Sequence, residues 1–349
     1  MQDSVFSLLP PLVAIIIAIW RKNALFALFC GVMLCYVMMA NGQPVESIIG
    51  TTSGIAGVFG SLGNVYIISF SLLIGALVAL MNQSGAVKGF ITLLAKLNLV
   101  KNSRQAAILP TVVGTSIFTD TNLSMFTAGM ASQKLFDQHK LSRARLAYLI
   151  DSTCAPISIL FLINGWGAYV LGLLDGYSFD DPVGILIGTV GYNFYAIIAV
   201  AMAYYTAYSG KVFGPMKHAN SLINADNTHH VEHHAPAIIM WLPLLALLAI
   251  TLGLLWFTGD GDMRRGSGSF SVFWAIVSAL IILVMMIKSH KLMTFNNIFS
   301  HSFKGIKHMA PAVAILILSF AFGDAIKELG TGIYVSQLLN VEVPQYFLA

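Results

Sequence analysis

Charge is what this sequence has least of. Only 10% of its 349 residues are Asp, Glu, Lys or Arg, against about 25% in a soluble domain. With 57% hydrophobic residues and a mean hydropathy of +0.79, a soluble fold is excluded. Cysteine is also scarce. The three present, Cys30, Cys35 and Cys154, all fall in apolar segments, so there is no disulfide framework. No basic residue precedes the first apolar run. Arg21 and Lys22 follow it, the reverse of a secretory signal. The net charge of +4 is not gathered on a soluble domain, which argues against nucleic acid as a partner.

What is there is apolar length. Runs occur at Phe6–Trp20, Ala24–Ala40, Asn64–Met81, Val183–Tyr208, Ile238–Thr258, Phe270–Ile287 and Ala310–Leu329. About 20 such residues cross a bilayer core, so the chain reads as an all-α, multi-pass membrane protein. Lys and Arg in short loops stay cytoplasmic. Placing residues 21–22, 88–104, 134–145, 211–217 and 288–307 inside accounts for sixteen of the nineteen basic residues, leaving Arg264, Arg265 and Lys327. The N-terminus is then outside.

That topology bears on GTSIFTDTNLS (Gly114–Ser124), a polar cluster with one carboxylate between apolar flanks. Arg104 and Lys134 are both inside, and the chain between them has under 30 residues in which to enter and return. A re-entrant hairpin over 105–133 fits, with two short tilted spans as the alternative. Irregular backbone at membrane depth needs burial in protein or a watery cavity. The next segment, 146–169, starts as a helix and meets Asp151, Ser152, Thr153 and Pro156 within six residues. Proline removes a backbone donor, and Ser and Thr compete for backbone hydrogen bonds. This reads as a broken transmembrane helix, or as a proline kink with Asp151 near the cytoplasmic edge. Asp151 lies about 9 Å inside Arg145 at 1.5 Å per residue, deep for a snorkelling carboxylate.

Gly85–Leu94 resembles Gly330–Leu339 at an offset of 245, each after an apolar span, and the two spans run in opposite directions. The expected fold is therefore an inverted-repeat secondary transporter. Its first repeat is 1–182, its linking span 183–208, its His-rich cytoplasmic loop 209–236 and its second repeat 237–349. The same offset carries Gly114–Ser124 past Ala349. The second repeat is thus expected to be incomplete, and the active form to have roughly 90 or more further residues, by analogy with the hairpin and broken helix of the first half.

GTSIFTDTNLSMFTAG followed by LSRARLAYLIDSTCAPISILFLINGWGAY resembles the NhaC family of sodium/proton antiporters, in the ion transporter superfamily. The resemblance implies exchange of Na+ for H+ across the cell (bacterial inner) membrane, without a cofactor. It also implies binding positions at Thr119, Asp120, Thr121 and Asn122 with Asp151, Ser152, Thr153 and Asn164, with Asp120 and Asp151 as transient Na+ ligands. An intramembrane carboxylate can do this work, because burial favours its neutral form and a bound cation its charged form. The bland reading of both aspartates is structural helix capping.

Two other functions remain open at this level. One is a Na+- or H+-coupled exchanger of small organic acids (malate/lactate type), whose carboxylate would sit on amides freed at the broken helix. The other is an intramembrane aspartyl enzyme using Asp120 and Asp151, which has no need of a repeat or a hairpin. The expected partners are Na+, H+, the lipid bilayer, a small organic anion in the second reading, and a second copy in a homodimer. Residues 218–234 hold five of nine histidines and read as a solvated linker, or as a metal or pH site. Asp324 and Glu328 flank Lys327 and read equally as a local charge network or as the second repeat's contribution to the site.

Overall fold

The computed structural model describes residues 5–96, 100–118, 121–161, 164, 167, 170–171, 174, 181–214, 216, 235–263 and 266–339, without the side chains of 94–96, 122, 134 and 336–339. Helix accounts for 85% of it, and no strand occurs among the described residues. The helices are α1 (Leu9–Arg21), α2 (Ala24–Met39), α3 (Pro44–Gly57), α4 (Leu62–Gln83), α5 (Ala86–Lys96), α6 (Ser103–Ser116), α7 (Thr121–Gln138) and α8 (Arg143–Leu160). They continue as α9 (Pro182–Val190), α10 (Phe194–Ser209), α11 (Ile238–Thr258), α12 (Gly268–Ser289), α13 (Phe295–Glu328) and α14 (Thr331–Leu339). By length and composition α4, α11, α12 and α13 can each cross a bilayer. This is an all-α membrane protein, as expected where every backbone polar group must be satisfied within the chain.

The apolar run Val183–Tyr208 forms two helices, α9 and α10, bent by 46° at Gly191–Asn193. Asp181 starts the first of them by accepting the Gly184 N–H at 2.7 Å. Six helices, α3, α5, α6, α7, α8 and α14, fall outside the apolar runs. In α3, Ser47 and Thr51 fold their hydroxyls back onto their own helix, Ser47 to the Gln43 carbonyl at 2.6 Å and Thr51 to the Ser47 carbonyl at 2.7 Å.

Residues 1–72 and 308–349 form one unit, and residues 73–307 the other. In the first, Cys35 and Met38 of α2 pack against Ala325 and Leu329 of α13. Gly31 permits that approach, since a Cβ there would stand 2.8 Å from Phe322 Cε2. Tyr36 lies across Gly50 and Gly54 of α3, where added Cβ atoms would come within 2.7 Å and 2.2 Å of it. Small residues at this spacing let helices touch without a hydrophobic driving force in lipid. In the second unit α6, α7, α8 and α10 pack together around Ala107, Phe136, Leu146, Leu149, Ala203 and Ala207. Beside them α11 pairs with α12, and Phe90 of α5 meets Trp241 of α11 edge-on at 5.6 Å.

The same left-handed stop follows α2, α7, α11 and α12, at Asn41, Lys140, Asp260 and Lys291, and a glycine turn occurs twice. After α2, Asn41 is left-handed (φ 50°) and the Gly42 N–H bonds the Val37 carbonyl at 2.9 Å. After α12, Lys291 is left-handed (φ 54°) and the Leu292 N–H bonds the Ile287 carbonyl at 3.0 Å. Both are Schellman stops, which satisfy carbonyls that the helix end leaves open. Gly85 (φ 77°) and Gly330 (φ 79°) likewise end α4 and α13. Their N–H groups bond Asn82 and Lys327 carbonyls at 3.3 and 3.1 Å, and their carbonyls accept from Gly89 and Tyr334 at 2.9 and 3.1 Å. Lys327, Gly330 and Tyr334 each stand 245 positions after Asn82, Gly85 and Gly89.

Candidate functional site: a helix tip on an interrupted helix

Asn102 starts α6 by accepting the Gln105 N–H at 2.9 Å, and the Gln105 side chain accepts the Lys101 N–H at 2.7 Å. The helix stops at Ser116, and α7 begins at Thr121. The close return is tied by Ser124, whose hydroxyl donates to the Gly114 carbonyl at 2.8 Å. At the other end of α7, Lys140 is left-handed (φ 53°) and Ser142 caps α8 by accepting the Arg145 N–H at 3.2 Å. Arg143 pairs with Asp137 at 3.1 Å.

The interruption of the helix falls later than the residues Asp151 to Pro156, where the composition pointed. Helix α8 carries Pro156 within it and runs to Leu160, and only at Phe161 does the backbone become extended (φ −101°, ψ 100°). Gly167, Val170, Leu171 and Leu174 are helical again. Thr153 does not interrupt α8. Its hydroxyl donates to the Leu149 carbonyl at 2.6 Å, a bond that the i−4 geometry of a helix allows.

Asn164 holds the interruption together. It is buried (3% exposed), and its amide nitrogen donates to the carbonyls of Ser158 and of Phe161, the latter at 2.8 Å. Its amide oxygen accepts the Gly167 N–H at 3.0 Å. One side chain therefore satisfies open carbonyls at the end of α8 and an open amide at the start of the following helical stretch. The α6–α7 tip rests on the same place. The Thr121 hydroxyl donates to Ser158 Oγ at 3.0 Å, Asn164 reaches the Phe118 carbonyl at 3.4 Å, and Phe118 stacks on Phe161 at 4.7 Å. Gly114 lets α6 approach α8. A Cβ there would lie 2.6 Å from Thr153 Oγ1 and 2.9 Å from Cys154 Sγ. From the other side Tyr204 of α10 hydrogen-bonds Thr115 at 2.7 Å.

Of the residues expected to bind, Thr121 and Asn164 meet at this junction, and Thr153 is buried against Gly114. Ser152 is half-buried and Asp151 exposed. Asp151 precedes Ser158 by seven residues, about 10 Å along the axis and 20° short of two full turns. It shares an exposed stripe of α8 with Ala144, Ala147 and Ala155. Thr119 and Asp120 lie outside the described residues, as do the side chain of Asn122 and the His-rich stretch 218–234. Ser124, Ser158 and Tyr204 were not singled out from the sequence. Ser158 carried one usable signal, its two-turn spacing from Asp151. Among the described residues no cluster of three His, Cys, Asp or Glu could hold a metal ion. The oxygens gathered here are hydroxyls and carbonyls, ligands that suit a hard cation.

The sequence model of the Na+/H+ antiporter family matches residues 146–349, more than half of the chain. The chain belongs to that family. A Na+/H+ antiporter family member is a transporter and not an enzyme, and at this level the protein is a cation/proton antiporter. The family match opens at Leu146, so it takes in Asp151 and Asn164 and leaves α6 and α7 before it. A protein of Haemophilus influenzae, described only as uncharacterized, is 27% identical over 374 residues, covering 99% of this chain and 72% of its own length. No solved structure matches.

Proposed function

We propose that this family member exchanges Na+ for H+ in the manner of the NhaC antiporters, with the junction of the α6–α7 tip and the end of α8 as the place where the ion is held. The hydrogen bond from Thr121 to Ser158 carries this reading. It joins the two segments on which the resemblance to the NhaC antiporters rests. Thr121 Oγ1, Ser158 Oγ and the Phe118 carbonyl supply neutral oxygens, and Asp151, about 10 Å back along the same side of α8, supplies a carboxylate on the ion's path. A carboxylate that takes a proton when the cation leaves gives one-for-one competition, the minimum an antiporter needs. Asp120, next to the tip in sequence, is the second carboxylate in this reading.

The organic-acid alternative needs free amides at the helix interruption. The Gly167 amide is already engaged by Asn164, so a substrate carboxylate would first have to displace that side chain. The oxygens of the cation reading are also hydrogen-bonded, but each carbonyl or hydroxyl oxygen keeps a further lone pair for a cation, which an engaged N–H cannot offer to an anion. The loop charges support a cytoplasmic-membrane protein with its N-terminus outside. The glycine turns at Gly85 and Gly330 support reading α4–α5 and α13–α14 as inverted copies.

Asp151→Asn tests the proposal. The variant should insert and purify like the wild type, yet fail to move protons against a Na+ gradient in proteoliposomes. Wild-type exchange by that variant would remove Asp151 from the mechanism.

A further inference from the structure

We propose that the stretch from Lys288 to Lys307 is a docking surface for anionic phospholipid headgroups. Helix α13 has 34 residues, about 51 Å at 1.5 Å per residue. A bilayer core takes up only about 30 Å of that. The apolar portion begins at Ala310, so Phe295–His308 is the portion that emerges. It emerges with an apolar stripe. Phe295, Phe299 and Phe303, spaced four apart, are 68%, 71% and 60% exposed. The opposite face is locked to the protein. Ile298 is buried, and Gly305 lies so close to α4 that a Cβ would stand 2.2 Å from the Gly75 carbonyl. The phenylalanines therefore face outward by construction.

Charge identifies the occupant. No Asp or Glu occurs between Asp262 and Asp324, while Lys288, Lys291, Lys304 and Lys307 are all exposed. Lys288 Nζ stands 5.9 Å from the Phe295 ring centre, which links the turn before α13 to the stripe. Aromatic rings beside lysines are the composition of a segment lying at the headgroup boundary, where rings seat among the acyl ends and ammonium groups meet phosphate. Helix α3 provides an internal contrast. It exposes Val45, Ile48 and Ile49, yet carries Glu46 and no lysine. Apolar seating alone does not call for lysine, and the anionic partner belongs to α13.

The test uses the full chain in vesicles mixing phosphatidylglycerol with phosphatidylcholine, extracted with detergent, with retained lipid counted by mass spectrometry. The wild type should retain phosphatidylglycerol preferentially. Lys304→Gln with Lys307→Gln should reduce that preference about tenfold. Lys88→Gln with Lys101→Gln, at basic positions elsewhere, should leave it unchanged. Inorganic phosphate at the same headgroup concentration should not displace the lipid, which separates a lipid surface from a free-anion site. Equal retention of the two lipids by the wild type would overturn the proposal. So would a preference untouched by the Lys304 and Lys307 changes, or a wild-type dimer that hides the stripe from lipid.

Discussion

The stretch from α2 to α5 and the stretch from α12 to α14 share their turns and differ in their charges. Each has an apolar helix, a Schellman stop like those after α7 and α11, a span, a left-handed glycine and a short helix. Yet residues 23–87 contain no Lys or Arg, whereas 288–307 contains four lysines. The middle differs too. A 3-10 turn, Val58–Gly60, and extended Ser61 separate α3 from α4, while α13 is continuous. Turn geometry is dictated by local backbone chemistry and survives a change of surroundings. Charge does not affect the turns, so it is free to set which side of the membrane each turn faces.

The comparison breaks most completely on sidedness. In a background lacking Cys30, Cys35 and Cys154, Thr52→Cys and Ser300→Cys should label with impermeant maleimide from opposite sides, Ser300→Cys from the cytoplasm. Labelling from the same side would end the inverted reading outright. Next in size is the paired glycine test. Gly85→Val and Gly330→Val should each lower thermal stability by an amount corresponding to about 1–2 kcal/mol, the cost of a side chain in the left-handed region. Unequal losses would mean that the turns are not equivalent in their surroundings. The smallest effect sharpens the other turn. Lys291→Asn brings it closer to Asn41, and Asn tolerates left-handed backbone better than Lys. In neutral detergent the variant should gain about 0.5 kcal/mol or less, read as a small rise in melting temperature.

Helix positions were legible where length and hydropathy suffice. The run Ile238–Thr258 is α11 residue for residue. Helices α3 and α5 were not, because neither is apolar enough to stand out from the loops around it. The bend between α9 and α10 was hidden for the opposite reason, since Gly191–Asn193 interrupts an otherwise apolar run too briefly to register. At the site, residue types marked the right segments and missed the geometry. Asp151, Ser152, Thr153 and Pro156 suggested a break among themselves, but a threonine bonding back to its own helix is compatible with continuity. The break lies where Asn164 can close it, and no local propensity announces a side chain that reaches six residues back to Ser158.

That side chain has a mechanical consequence. The acceptors of Asn164 belong to the end of α8 and to the α6–α7 tip, and its donor belongs to the helical stretch that follows. It acts as a keystone. None of the three pieces it joins can move away singly without breaking a hydrogen bond to this buried amide. Any rotation of that amide uncovers oxygens and a backbone N–H together. Movement of any one piece is therefore coupled to the other two through one side chain.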